Sequence, residues 1–365
     1  LRTLLMKNGI AINGEGRGHY TRARALAEIL GERYEIAFWT PDHLAGELST
    51  LFPKAEIHRI PHFSFVQTGF SLDYPATIAV NGALMLLAPR VCARIAREME
   101  KTGITTLLSD FEPFSSRAAK SLGIPVLQLN HPSVVTRSFS FPSGISSFFH
   151  QIASKIVSRY MTAYADRKII CSFFDGDVGP IIRKELREKR TERGDYFVVY
   201  MKPMYRAWLE PVLDRLGREK FRVFPDAKED YATTLARSRA LIAPAGHQSI
   251  SEALALGKPV FAIPVSGQYE QLLNAQKLRE SGFGDYADFA NIATALPAFI
   301  GAIHDFETAI ARTRLAGTRA FRAAWTCEDQ TFRAACMVEN FIIESRIRPE
   351  WRRRNPALAL LPGLF

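Results

Sequence analysis

The chain has 365 residues, 47% of them hydrophobic and 23% charged, with a formal net charge of +10 and four cysteines. That length is too great for a comfortable single core and points to two domains of a soluble globular protein. No apolar run reaches the length of a membrane span, and the basic balance, with a pI near 9.5, favours an anionic partner. No nucleic-acid module is recognisable, so nucleic acid is not expected as that partner. Cys92, Cys171, Cys327 and Cys336 show neither metal-ligand spacing nor a pairing logic. They are expected to be reduced thiols of a cytoplasmic protein, with no metal and no cofactor.

Taken in order, Leu4 to Ile12 is largely apolar, as a central parallel strand should be, and runs into a glycine loop as no signal peptide would. The loop holds Gly14, Gly16 and Gly18, with His19 at its mouth. A helix through Leu30 follows, with Ala23, Leu26, Ile29 and Leu30 on one face, and Tyr34 to Thr40 is the next strand. The unit looks superficially like a dinucleotide fingerprint. Its spacing is G-x-G-x-G, however, and no acidic residue stands at Trp39-Thr40-Pro41 to hold a ribose, which sets NAD aside. Thr105 to Asp110 is a strand that delivers a carboxylate to the carboxyl end of a parallel sheet, where open α/β proteins place ligand groups, with Glu112 as its competitor. Gly123 to Asn130 is another strand, and His131 just beyond it is a candidate for touching an acceptor. Ile60 to Tyr74 and Val135 to Tyr164 are rich in aromatic residues. The second becomes a helix whose Ile152, Ile156, Tyr160 and Tyr164 stripe is expected to pack into the core, a groove facing an acceptor or membrane being the alternative. Asp166 to Phe174 closes a first domain over residues 1–180, and the charged stretch through Gly194 reads as a linker over 181–194.

The second domain, 195–318, opens with strands at Tyr196 to Met201 and Phe221 to Phe224 and a helix over Asp226 to Arg237. Arg239 to Pro244 should be a strand, Ala245 to Gln248 a small-residue turn, and Ser249 to Leu256 a helix ended by a left-handed cap at Gly257. Val260 to Pro264 is the parallel partner strand, and Tyr269 to about Ser281 a further helix. A glycine turn that opens a helix is an anion site, because unpaired backbone N–H groups and the helix dipole converge there. Gly246 and Ser249 supply that corner. Glu252, one turn on, can accept two ribose hydroxyls. Gln268, Glu270, Gln271 and Asn274 give the density of amide and carboxylate groups that a polyhydroxylated ligand needs. Diphosphate, ribose and sugar together describe a nucleotide-sugar. From Asn291 to Glu344 the pattern is helical. The tail, 346–365, joins the Trp351-Arg352-Arg353-Arg354 cluster to an apolar run; it reads as a solvated tail or as a peripheral anchor on the inner face of the membrane.

The stretch Ala245 to Asn274 resembles the donor region of inverting GT-B glycosyltransferases. That group includes the family 28 lipid-linked N-acetylglucosamine transferase of peptidoglycan synthesis and the plant and microbial small-molecule enzymes. It is similar above all to prokaryotic glycosyltransferases with the signature G-x-x-(S/T)-x-x-E-A-L, then G-K-P, then P-x-x-x-Q-x-E-Q-x-x-N-A, every element of which is present here. The resemblance implies a GT-B fold, two Rossmann-like α/β domains facing across a cleft, and a metal-independent transfer of a sugar with inversion, a UDP-sugar being favoured. It gives Gly246 and Ser249 the diphosphate, Glu252 the ribose, and Glu270 and Gln271 the sugar hydroxyls. It places Phe224 beside the nucleobase. His19 becomes the base that takes the acceptor proton, and Asp110 the carboxylate that holds and charges it, a role worth roughly 10²–10⁴ in rate. It also sends the final helix, 319–345, back to the first domain. The acceptor is left open, a lipid-linked or cell-envelope glycan precursor among the candidates.

One departure counts, and one mark of the retaining enzymes is absent. The plant-type enzymes have a diphosphate-binding histidine where this chain has Pro244, with His247 three residues later. Retaining relatives carry two glutamates seven residues apart, and Glu252 has no such partner. A nucleotide-sugar 2-epimerase and a non-catalytic subunit binding nucleotide-sugar or lipid are the alternative readings.

Overall fold

A computed structural model describes residues 7–138, 145–225, 228–316 and 327–347. The first half is a six-stranded parallel sheet in the order β3-β2-β1-β6-β7-β8. Its strands are β1 (Lys7–Ile12), β2 (Glu35–Thr40), β3 (Glu56–Arg59), β6 (Thr106–Asp110), β7 (Val126–Asn130) and β8 (Arg167–Ile170), with β4 (Gln67–Thr68) and β5 (Ser71–Leu72) as a separate hairpin. Helices α1 (Arg17–Leu30), α2 (Asp42–Leu51), α3 (Tyr74–Thr102), α4 (Pro113–Ser121) and α5 (Ile145–Met161) surround it. The central strands are buried on both faces, which is why they read as apolar runs without alternation. Gly9 leaves room in β1 for the tips of Ile104 and Leu107, which a Cβ there would meet at 2.8 and 2.9 Å.

The second half is a five-stranded parallel sheet in the order β10-β9-β11-β12-β13. It comprises β9 (Phe197–Tyr200), β10 (Phe221–Phe224), β11 (Ala240–Pro244), β12 (Val260–Ile263) and β13 (Gly284–Tyr286). Between and after the strands come α6 (Lys184–Arg187), α7 (Pro203–Leu216), α8 (Tyr231–Ala236), α9 (His247–Ala255), α10 (Tyr269–Glu280), α11 (Ile292–Gly301) and α12 (Ile303–Ala316). Gly257 does take the left-handed conformation, φ 73°. The helix expected from Asp226 begins only at Tyr231, where Asp230 caps it by accepting from Thr233 N. The stretch read as a linker is not loose. Ile181, Ile182 and Leu186 are buried, the last two in the core of the second sheet.

The final helix, α13 (Cys327–Ile347), packs on the first sheet: Ala334, Val338, Phe341 and Ile342 join the core formed by Ile10, Leu26 and Leu30. Arg33–Glu339 and Arg167–Glu344 ion pairs edge that contact. Two expectations fail on the helices. Although no membrane-length span was expected, α3 is 29 residues long with a mean hydropathy of 1.5 over an 18-residue window that is only 17% buried. And the stripe on α5 does not enter the core: Ile152, Ile156 and Tyr160 are all exposed. The face turned inward carries Gln151, Ser158 and Met161, because Gln151 Nε2 donates to Tyr269 Oη on α10 at 2.5 Å.

Candidate functional site

In an open parallel sheet the ligand crevice lies outside the carboxyl ends of the strands, where strand order reverses. The first sheet reverses between β1 and β6, the second between β9 and β11. The two switch points look at each other across a cleft of about 590 Å³, within the range of small-molecule sites. On the near side the loop after β1 leads into α1, and Ile12 is in register with Asp110. His19, one turn into α1, therefore comes over the end of β6. Its Nδ1 lies 2.6 Å from Asp110 Oδ1, and its ring stacks on Phe111 at 6.0 Å. Phe111 holds φ +60°, a left-handed turn that aims the chain out of the strand. With Nδ1 committed to the carboxylate, Nε2 is the ring nitrogen left for the cleft that His19 lines.

Asp110 serves a second partner. Arg22 Nε donates to its Oδ2 at 2.9 Å and Nη2 to its Oδ1 at 3.0 Å, in a bidentate pair with both side chains about 95% buried. Burial alone would raise the Asp110 carboxyl; the charges of Arg22 and His19 outweigh it and hold the group below the usual carboxylate range. The ring of His19 is thus oriented by an ionised carboxylate that is itself fixed by an arginine.

Across the cleft, Gly246 opens α9 with no side-chain cap. A Cβ on Gly246 would meet nothing within 4 Å, so the first turn of α9 faces open cleft. Ser249 lines the same corner. Glu252, one turn on, is 5% exposed and lies 3.3 Å from Arg183, while Gln248 Nε2 donates to its Oε1 at 3.2 Å. On α10, Glu270 keeps 31% of its side chain exposed to the cleft. Gln271 Oε1 accepts from Val265 N at 3.0 Å and its amide donates to Gln268, which locks both amides in place.

A sequence model described as glycosyl transferase family 1 matches residues 6–230 and 220–303. The chain belongs to that family. A glycosyltransferase of unassigned specificity from Methanosarcina mazei is 26% identical over 329 residues, covering 76% of this chain and 85% of that one. Among solved structures, a UDP-glucosyltransferase from Polygonum tinctorium superposes with a TM-score of 0.65 at 15% identity, covering 94% of this chain and all of that one. MurG of Acinetobacter baumannii does so with a TM-score of 0.59 at 14% identity, covering 92% and 99%. The two parallel sheets are a GT-B fold.

Not every expected residue of this glycosyltransferase reaches the cleft. Phe224 does not: it is 2% exposed, packed edge-on against Tyr231 in the second core. Its strand is the edge strand, one removed from the switch point. Its register partner Tyr200 on β9 and Tyr231 on α8 line the cleft in its stead. Glu112 is no rival base. It is 1% exposed and caps α4, accepting from Phe114 N at 3.0 Å and Ser115 N at 2.6 Å, and burial pushes its carboxyl up to about 7. His131 borders the cleft, with Cys171 O 3.2 Å from Nδ1 and Asn274 Oδ1 2.9 Å from Nε2, so whichever nitrogen carries the neutral ring's one proton already has an acceptor. Its ring stacks on His247 at 3.7 Å, and burial drops it to about 3. His131 and Asn274 therefore join the two domains. His247 is 3% exposed behind the first turn of α9. Gly16 and Gly18 line the cleft, and a Cβ on Gly18 would lie 3.4 Å from Gln248 Cβ, where α1 and α9 approach end to end.

Two arginines that pair with the site's carboxylates escaped the sequence reading. Arg22 could have been found from its position three residues after His19, on the same helix face. Arg183, at the edge of the apparent linker, carries no local signal for its contact with Glu252.

Proposed function

We propose that the chain transfers a sugar from a nucleotide-diphosphate-sugar, a UDP-sugar in the first instance, to an acceptor hydroxyl with inversion at the anomeric carbon. The observation that carries this reading is the His19–Asp110 pair at 2.6 Å, set across the cleft from the open first turn of α9. In the reaction His19 Nε2 takes the acceptor's hydroxyl proton as its oxygen bonds to the anomeric carbon. The bond from that carbon to the diphosphate oxygen breaks, and its electron pair leaves with the diphosphate. The N–H groups of α9 and the Ser249 hydroxyl meet the charge that develops there, so the proposal needs no metal for leaving-group departure. Asp110 stays ionised and stabilises the imidazolium. Glu252 accepts from the ribose, and Glu270 and Gln271 from and to the sugar.

The choice of uridine draws on the Polygonum neighbour, which is named a UDP-glucosyltransferase. The decisive experiment screens UDP-sugars for thermal stabilisation, which should reach about 2.7 kcal/mol at a hundred times Kd. The stabilising donor is then incubated with candidate acceptors and the anomeric configuration of the product read by NMR. Inverted product is expected. Retained configuration, or donor isomerised without any acceptor, would overturn the reading.

A further inference from the structure

Of the seventeen large apolar side chains exposed among the described residues, eleven lie on α3 and α5. On α3 these are Ile78, Val80, Met85, Leu86 and Leu87, with Leu86 85% exposed; on α5, Phe149 is 63% and Ile156 62% exposed. The two helices adjoin, the Tyr74 ring stacking on His150 at 5.6 Å. Exposed apolar surface of this extent marks an interaction site.

Within the two helices the charges beside it, as far as Arg97, are of one sign. From Tyr74 to Arg97 on α3, and throughout α5, there is no acidic residue, while Arg90, Arg97 and Arg159 are exposed at the margins. Neither helix is free to leave the body of the protein. The α3 helix is fastened at its middle, where Asn81 accepts from Ser64 N at 3.0 Å and donates to Ser64 O at 2.8 Å, and along its second half by buried Cys92, Ile95 and Met99. Its uncharged stretch, Tyr74 to Pro89, would span about 24 Å at 1.5 Å per residue, short of a bilayer core of about 30 Å.

We propose that the α3–α5 face docks this glycosyltransferase on an anionic lipid bilayer. A basic rim around an apolar face suits acidic headgroups over acyl chains. It disfavours a second copy of the chain, since two such faces brought together would set cation against cation. The face also runs into the cleft, which Tyr74, Ala153, Ser154 and Val157 line on the first-domain side. A lipid-borne acceptor would therefore reach His19 without leaving the bilayer, a corollary that rests on the proposed transfer reaction while the docking itself does not.

The test is co-sedimentation of the full chain with vesicles of phosphatidylcholine alone and of phosphatidylcholine with roughly one quarter phosphatidylglycerol. Wild type should bind the anionic vesicles, and high salt should weaken the binding. The variant Leu86→Glu/Phe149→Glu/Ile156→Glu should lose about tenfold or more in partitioning, with nucleotide-induced stabilisation unchanged. Should that variant fail to fold, Leu86→Glu alone carries the test, with a loss of about threefold or more. Unchanged binding of the variant, or no binding of wild type to anionic vesicles, would overturn the proposal. So would a wild-type dimer that the substitutions make monomeric, which would give the face to a second copy. Failure of nucleotide stabilisation in both proteins would count against the transfer reaction and leave the docking result standing.

Discussion

Replacing Asp110 with asparagine separates what the carboxylate does for catalysis from what it does for the fold. Asp110 accepts from His19 at 2.6 Å and from Arg22 at 2.9 and 3.0 Å. An asparagine keeps the shape but has one acceptor oxygen to offer. Facing that oxygen to Arg22 turns the amide NH₂ toward His19 Nδ1 and forces the ring proton onto Nε2, which can then no longer take a proton from an acceptor. The expected loss in kcat is about 10³–10⁴, or about 4–5.5 kcal/mol of barrier. At the same time the guanidinium of Arg22, 3% exposed, loses its counter-charge, which should cost about 3–5 kcal/mol of stability. Adding Arg22→Met should restore much of that stability and none of the activity. Steady-state kinetics, nucleotide calorimetry and urea unfolding on the single and double variants read the three quantities separately, and donor affinity should stay near wild type. The combination with His19→Ala should be little worse than His19→Ala alone, because groups acting as one unit are non-additive. Multiplicative losses, or Asp110→Asn with kcat near wild type, would refute the assignment.

Glu252→Ala should raise the donor Kd roughly 10- to 100-fold with the fold intact, since a charge-assisted hydrogen bond is worth about 1.5–3 kcal/mol; unchanged affinity in calorimetry would misplace the donor. Glu112, whose carboxyl burial lifts to about 7, keeps its proton in the folded state above the ordinary carboxylate range. Its contribution is therefore full below about pH 4.5 and lost as pH rises through about 7, so wild type should lose about 1–3 kcal/mol relative to Glu112→Gln between those limits in denaturant titrations. Phe70→Ala should cost about 1–3 kcal/mol in thermal unfolding, because the ring stacks on Phe289 at 3.5 Å and also meets Tyr205 and Trp208.

The α9–α10 side of the cleft was legible because it is local. Gly246, Ser249 and Glu252 lie within two turns of one helix, and Glu270 and Gln271 open the next, so short spacings carry their chemistry. The His19–Asp110 pair was legible only by joining two facts, a strand ending in a carboxylate and a resemblance that supplies its partner. Arg22 and Arg183 act on residues 88 and 69 positions away, and no local pattern encodes that. Phe224 misled because an aromatic residue at a strand end looks the same on an edge strand as beside a switch point. The α5 stripe misled for a related reason: an amphipathic period says that a helix has two faces, not which one the protein covers. The β4–β5 hairpin gave no signal, since strands of two residues have no period.

That hairpin has a mechanical consequence. It belongs to the first half of the chain, yet Ser71 bridges Ser266 in parallel, Leu72 N donates to Ser266 O at 2.9 Å, and Ser266 N donates to Phe70 O at 2.8 Å. Tyr74 Oη adds a bond to Gly267 O at 2.9 Å. The two lobes are thus joined by backbone hydrogen bonds as well as by the covalent crossover. Any motion that admits or releases a ligand by separating the lobes must undo these bonds, peeling Phe70 from Phe289 as it goes. Lobe separation would break these backbone bonds and this aromatic stack together with the His131–Asn274 and Gln151–Tyr269 bonds, and the surroundings of Phe70 would report it.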